Sequence, residues 1–305
     1  MTVYDRGPGD EYPPGPRCFS ANQLPPTTNH QPPSVSPSRG RPRAIIFLCL
    51  FPCTRFVITL ENIHKAFGPK KVLQGFSLEV PEGDTVAIIG YSGTGKSVAI
   101  KHIVGLLDPD QGTVFVDGLE VPKLSRPGLY ELRAKIGYVF QFAALFDSLS
   151  VGDNVAMGLR KQGTHTEREI ADRIHEALEL VDLPDAADVF PIELSGGMRK
   201  RVGIARAIAL RPKYLLYDEP TTGLDPVTSA VINLLMLRMQ KTLGVTSIVI
   251  THDMKSAYTV ATRIAMLYDG TVRQEGTVEE IQNSADPIVR GFIEGRADVD
   301  PGHAI

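Results

Sequence analysis

Apolar positions along this chain follow three regimes. Up to residue 117 they come in short β-rich runs, at 57–61, 72–80, 85–90 and 113–117, with turn residues between them. Clustered in this way, the four runs predict an antiparallel β-subdomain leaning on a larger sheet. Between 152 and 194 the spacing becomes helical. Thr166-Glu167-Arg168-Glu169 reads as a capping box, Ile170, Ile174, Ala177, Leu178 and Val181 recur on one helical face, and Pro184 is a stop. After that, 213–218, 246–251 and 263–268 are compact apolar runs of the kind buried in a parallel sheet. The whole pattern predicts an α/β chain with a central, mostly parallel sheet, an antiparallel β-subdomain and an inserted helical subdomain at about 142–195. Residues 286–305 read as a tail, helical at its start and frayed after Pro301.

Candidate chemistry sits at the ends of the apolar runs. Thr85-Val86-Ala87-Ile88-Ile89 also has the character of a parallel-sheet strand, and Gly90-Tyr91-Ser92-Gly93-Thr94-Gly95-Lys96-Ser97 follows it, fitting the phosphate-binding loop of P-loop NTPases. Glycines at 90, 93 and 95 let backbone N–H groups converge on phosphate oxygens. Lys96 would reach the β- and γ-phosphates of ATP, and the Ser97 hydroxyl would ligate Mg²⁺. The stretch from Val98 to Leu107 suits a helix whose positive N-terminus faces those phosphates. Read as a bland alternative, the loop is only a glycine-rich turn; strand, Lys-Ser pair and helix together argue against that.

Two further strands end in polar residues. Tyr214-Leu215-Leu216-Tyr217 leads into Asp218 and Glu219, where open α/β sheets carry their ligands. Asp218 is the candidate Mg²⁺ partner, and Glu219 the candidate general base or water-positioner. Ser247–Thr251 leads into His252, which would hold the attacking water in register with Glu219. The other histidines, His30, His64, His102, His165, His175 and His303, read as structural or solvated. Leu194-Ser195-Gly196-Gly197-Met198 opens a helix-prone stretch, Met198–Leu210, with Ser195 as its cap. Arg199-Lys200-Arg201 reads as a solvated helix face with no catalytic part.

Taken in order, these elements resemble the ATP-binding subunits of ABC transporters: Phe67, the Gly90–Ser97 loop, Gln141, Leu194–Met198, Asp218-Glu219 and His252. Thr222-Gly223-Leu224-Asp225-Pro226 is similar to the loop lying between the halves of that family's dimers. The likeness spans about residues 57–285 and implies one ATPase domain of ABC type, preceded by 1–56 and followed by the tail. It also implies roles. Phe67 would stack on adenine, Tyr91 to Gly95 and Val98 would line the nucleotide, and Gln141 would sense Mg²⁺ and water and couple to the membrane partner. Ser195, Gly196 and Gly197 would contact the γ-phosphate held by a second copy, giving an ATP-sandwich homodimer. Gln141–Val151, Asp225–Thr228 and Asp286–Gly295 further resemble ATPases of the Mla and Mce-associated lipid transporters. That implies transmembrane permease subunits, a STAS-domain protein and an Mce-type lipid-binding protein as partners, and phospholipid as cargo. Phe142-Ala143 stands where that subfamily commonly has Ser-Gly, a departure that bears on the permease contact. An importer ATPase for amino acids or other small polar solutes is the alternative, since it shares all six elements.

Composition narrows the classes further. The chain has 305 residues and a net charge of −3 with no basic block, so nothing recommends nucleic acid as a partner. Its three cysteines, Cys18, Cys49 and Cys53, precede the ATPase region, which fits a reducing cytosol. The longest apolar run near the start, Ala44–Phe51, is stopped by Pro52, far short of the roughly 20 residues of a spanning helix. Membrane association is therefore expected through the permease, at the cytoplasmic face of the inner (plasma) membrane. Residues 1–56 hold 11 of the 23 prolines and no lysine, and cannot build a core. A targeting peptide, a disordered tail and a wrongly assigned start all fit them, the last being favoured because the first strand begins near Val57.

Overall fold

The computed structural model describes residues 55–296. The readings of residues 1–54, of all three cysteines and of the chain beyond 296 lie outside the described residues. Four strands form an antiparallel sheet in the order β2-β1-β4-β5: β1 (Phe56–Phe67), β2 (Lys70–Pro81), β4 (Gln111–Val116) and β5 (Leu119–Glu120). β1 runs six residues further than its apolar run. The register shifts between Leu60 and Ile63, and Asn62 takes a positive φ of 50°. This bulge breaks the two-residue alternation, so the sequence pattern stops at Glu61 while the strand continues. Gly112 sits against it, where a Cβ would come within 2.3 Å of the Asn62 carbonyl oxygen.

The second sheet has the order β10-β9-β3-β8-β7-β6. Its members are β3 (Thr85–Ile89), β6 (Ile136–Val139), β7 (Tyr214–Asp218), β8 (Thr246–Ile250), β9 (Arg263–Tyr268) and β10 (Thr271–Thr277). Neighbours from β9 to β6 pair parallel, and β10 closes the edge antiparallel. Thr85–Ile89 therefore does not belong with the antiparallel group that its position in the chain suggested. All five of its residues are buried. A strand covered on both faces needs continuous apolar sequence, and that is what it has. β10 carried no sequence signal, because an edge strand reading Thr-Val-Arg-Gln-Glu-Gly-Thr has no apolar face to detect.

Helices cover both faces of this sheet: α1 (Lys96–Ile103), α2 (Arg126–Ala134), α5 (Gly196–Ile208), α6 (Pro226–Leu243), α7 (Met254–Val260), α8 (Val278–Gln282) and α9 (Pro287–Ile293). On β7, Leu215 and Tyr217 join one core cluster and Tyr214 and Leu216 the other. Leu216 is fully buried, and truncating such a residue to Ala costs about 2–5 kcal/mol. The inserted helices are α3 (Val151–Gln162) and α4 (Glu167–Leu180), which pack on each other and on α5. The capping box opens α4: Thr166 Oγ accepts from Glu169 N, and the Glu169 carboxylate accepts from Thr166 N at 2.7 Å. Helix α9 packs Val289 into a third cluster with Ile89, Met266 and Ile281. No helix among the described residues is long and apolar enough to cross a membrane.

Candidate functional site

The sheet order β3-β8-β7-β6 lines up four carboxyl ends. In turn they deliver the Gly90–Gly95 loop, His252, the Asp218-Glu219 pair and Gln141. Parallel strands make this possible, since each chain segment exits on the same side. Residues 121 positions apart in sequence thus become hydrogen-bonding neighbours.

Inside the loop, Gly90 has φ +147° and Gly95 φ +104°. A Cβ on Gly90 would lie 2.3 Å from the Leu267 carbonyl oxygen, and one on Gly95 would lie 2.6 Å from Val72 Cγ1. Both contacts exclude any side chain there. Ser92 and Gly93 are exposed, while Thr94 Oγ1 donates to the Tyr91 carbonyl at 2.9 Å. The Tyr91 ring meets Phe292 of α9 edge-on, centroids 5.0 Å apart. Lys96 is buried and donates to the carbonyls of Gly90 (2.8 Å) and Tyr91 (2.7 Å). Burial lowers its pKa, and the nearby carboxylates of Glu219 and Asp218 oppose that shift. Val98 is half-buried on the first turn of α1.

Asp218 is almost fully buried, and both its oxygens are engaged. Ser97 Oγ donates to Oδ1 at 2.7 Å and Tyr138 Oη to Oδ2 at 3.1 Å. The Tyr138 phenol is pushed above its ordinary range, first by burial and then by the Asp218 charge. Glu219 stands next to it in a left-handed backbone conformation, φ +48°, while its N–H still bonds the Ile250 carbonyl at 3.0 Å. Such strain in a non-glycine residue costs about 1–3 kcal/mol and persists where surrounding contacts over-determine it. Those contacts are present. Gln141 Nε2 donates to Glu219 Oε2 at 3.2 Å, Thr222 Oγ1 donates to the same oxygen at 2.9 Å, and His252 Nδ1 lies 3.5 Å from Oε1. His252 itself is half exposed.

Lys200 corrects the sequence reading. It is buried rather than solvated, and its ammonium donates to the carbonyls of Gln141 and, at 3.3 Å, Glu219. Burial lowers its pKa, with the Glu219 charge opposing. Helical phase was the missed signal: Lys200 shares the face of Ile204 and Ala207, both buried, whereas the Arg-Lys-Arg run suggested water. Tyr138 was missed as well, because nothing in Ile136-Gly137-Tyr138-Val139 marks one phenol as aimed at a carboxylate.

Two predicted groups stand apart. Phe67 is half exposed at the end of β1, with the Lys65 ammonium 5.8 Å from its ring centroid. Ser195 and Gly196 are exposed at the amino end of α5. Ser195 Oγ accepts from Met198 N at 3.3 Å as the expected cap, and a Cβ on Gly197 would meet Thr228 Cγ2 at 2.5 Å. Among the described residues, no hydrogen bond or ion pair joins Phe67, Ser195, Gly196 or Gly197 to Lys96, Asp218 or Glu219.

Chemically, the cluster offers an anion cradle with a buried ammonium, a hydroxyl–carboxylate pair, and a second carboxylate held by an amide, a hydroxyl and an imidazole. No group of three or more His, Cys, Asp or Glu side chains among the described residues would hold a metal alone. The Ser97–Asp218 pair instead fits Mg²⁺, which takes one or two protein oxygens and completes its shell with water and phosphate.

Known proteins resemble this chain in sequence and in fold. The family described as ABC transporter matches residues 73–222. The probable ribonucleotide transport ATP-binding protein Mkl of Mycobacterium leprae is 39% identical over 78% of this chain and 69% of its own length. The methionine import ATP-binding protein MetN of Carboxydothermus hydrogenoformans is 42% identical over 78% of this chain and 71% of its own. The intermembrane phospholipid transport system ATP-binding protein MlaF of Haemophilus influenzae is 39% identical over 79% of this chain and 92% of its own. In three dimensions, the dimeric post-hydrolysis state of the ATP-binding cassette MJ0796, bound to ADP and Pi, superposes with a TM-score of 0.67 at 34% identity, covering 72% of this chain and 98% of that one. With fold, order of site elements and relatives in agreement, this chain belongs to the ABC transporter family as an ATP-binding, ATP-hydrolysing cassette.

Proposed function

We propose that this chain powers lipid movement between envelope membranes, acting as a homodimer beneath a separate permease at the cytoplasmic face of the inner membrane. The lipid reading is supported by MlaF, of whose length the match covers 92% against 71% for MetN. A small STAS-domain protein and an Mce-type lipid-binding protein are the further partners this reading implies. The alternative, an importer ATPase for amino acids or other polar solutes, keeps the same chemistry with a different permease.

One observation carries the catalytic part: the Glu219 carboxylate is held by Gln141, Thr222 and His252 directly beside the Asp218–Ser97 pair. ATP lies with its phosphates over the Gly90–Gly95 N–H groups, and the Lys96 ammonium turns to the β- and γ-phosphates. Ser97 and Asp218, with Gln141 nearby, would hold Mg²⁺, which would neutralise phosphate charge there. Glu219 accepts a proton as water attacks the γ-phosphorus, while the bond to the β–γ bridging oxygen breaks and ADP leaves. His252 and Gln141 hold Glu219 and the water in line. Phe67 stacks on adenine. Ser195, Gly196 and Gly197 of the second copy present a helix N-terminus to the γ-phosphate, so the site is complete only in the dimer. Loss of that phosphate removes the affinity that holds the two copies together.

Purification of the native membrane complex tests the cargo. Co-eluting phospholipid with an Mce-type protein is the expected result; a periplasmic solute receptor in its place would establish the alternative.

A further inference from the structure

Helix α5, which has the exposed Ser195 and Gly196 at its start, grips the segment after β6 by its backbone at three levels. The Lys200 ammonium takes the Gln141 carbonyl and also the Glu219 carbonyl at 3.3 Å. Gly203 lets the helix approach so closely that a Cβ there would lie 3.2 Å from Ala143 Cβ. The Arg206 guanidinium donates to the Ala143 and Ala144 carbonyls, both at 2.6 Å. Those two alanines have φ +59° and +49°, left-handed conformations that L side chains rarely adopt.

Lys200 is the unusual member of this grip. It is 7% exposed, and the acceptors of its charge are two main-chain carbonyls rather than a carboxylate. Burying a cation against neutral dipoles is unfavourable, and a Met or Leu of similar volume would pack there without that penalty. What the ammonium adds is fixed geometry. It ties the residue bearing the amide of Gln141 to the residue bearing the Glu219 carboxylate, whose left-handed backbone needs outside support.

We propose that Lys200 is a positioning residue for ATP hydrolysis, joining the helix that begins at Ser195 to the backbones of Gln141 and Glu219. Displacement of the exposed end of α5 by a partner copy then reaches the water-activating carboxylate through one rigid helix and one ammonium. The inference rests on the assignment of Glu219 made above.

Steady-state ATP turnover by the full chain tests it, with Lys200→Met, Lys200→Arg and Glu219→Gln measured in parallel with nucleotide binding. Lys200→Met lowers kcat about tenfold or more while KM and Kd for ATP stay within about threefold, because nothing that touches ATP has been removed. Lys200→Arg, which keeps a buried donor, returns kcat to within about threefold of the parent. Should the Met variant not fold, Lys200→Leu, which likewise lacks a donor, carries the same comparison. Full kcat without the ammonium, or a loss that appears equally in KM and Kd, overturns the inference while a silent Glu219→Gln leaves the catalytic assignment standing. Parental turnover by Glu219→Gln overturns both.

Discussion

The carboxyl ends of β3, β7 and β8 and the amino end of α5 are both built for polar work, yet the chain treats them in opposite ways. At the strand ends every charged group has a partner within the same molecule: Lys96 on loop carbonyls, Asp218 on Ser97 and Tyr138, Glu219 on Gln141, Thr222 and His252. At the helix end, Ser195 and Gly196 face solvent and Ser195 does no more than cap its own helix. Preorganisation inside one chain is thus complete for the groups proposed to act on water and metal, and absent for the group proposed to close over the γ-phosphate. On the proposed reading the unit of activity is two copies, each presenting its own exposed helix end to the site of the other.

Breaking the internal half of that comparison has the largest expected effect. Glu219→Gln keeps volume and neighbours but removes the proton acceptor, so kcat falls by about 10²–10⁴-fold while ATP binding is retained. In size-exclusion with ATP the variant runs as a stable dimer; rapid turnover would refute the assigned role. Lys96→Ala comes next, with ATP affinity reduced about tenfold or more, read by direct nucleotide binding. Removing a buried ammonium also leaves the Gly90 and Tyr91 carbonyls without their donor, so thermal stability is followed alongside.

The exposed half is sharpened by Ser195→Arg. Turnover drops about tenfold or more, but the affinity of the isolated chain for ATP stays within about threefold, since Ser195 touches no nucleotide-binding group of its own copy. The smallest effect belongs to a site in neither half. Thr166→Ala removes the cap of α4 and costs about 0.5–2 kcal/mol, seen as a Tm lower by a few degrees with kcat unchanged. A comparable loss of kcat there would mean that any destabilisation of the helical insert mimics a catalytic defect.

How much of this was legible depended on whether a residue's surroundings lie close in sequence. β7 and β8 are covered on both faces, so their apolar runs announced them, and the capping box at Thr166 needs only residues three positions apart. Asp218, Glu219 and His252 stood out as candidates because they are polar residues at the carboxyl ends of such strands. The far half of β1 was hidden by the bulge at Asn62, and β10 by its edge position. Lys200 was misread because local charge density suggested solvent, while its acceptors, Gln141 and Glu219, lie 59 and 19 positions away. Tyr138 meets Asp218 across 80 positions, a contact that only the parallel pairing of β6 with β7 creates.

Mixing two inactive variants tests the shared site most directly. Differently tagged chains carrying Glu219→Gln and Ser195→Arg are combined, mixed dimers are isolated by both tags, and ATP turnover is measured. In each mixed pair one site combines both defects, and the other pairs an intact Glu219 with an intact Ser195 of the opposite copy. Turnover clearly above that of either variant alone is the predicted result. Mixed dimers that form but stay as silent as their parents would contradict a site divided between two copies.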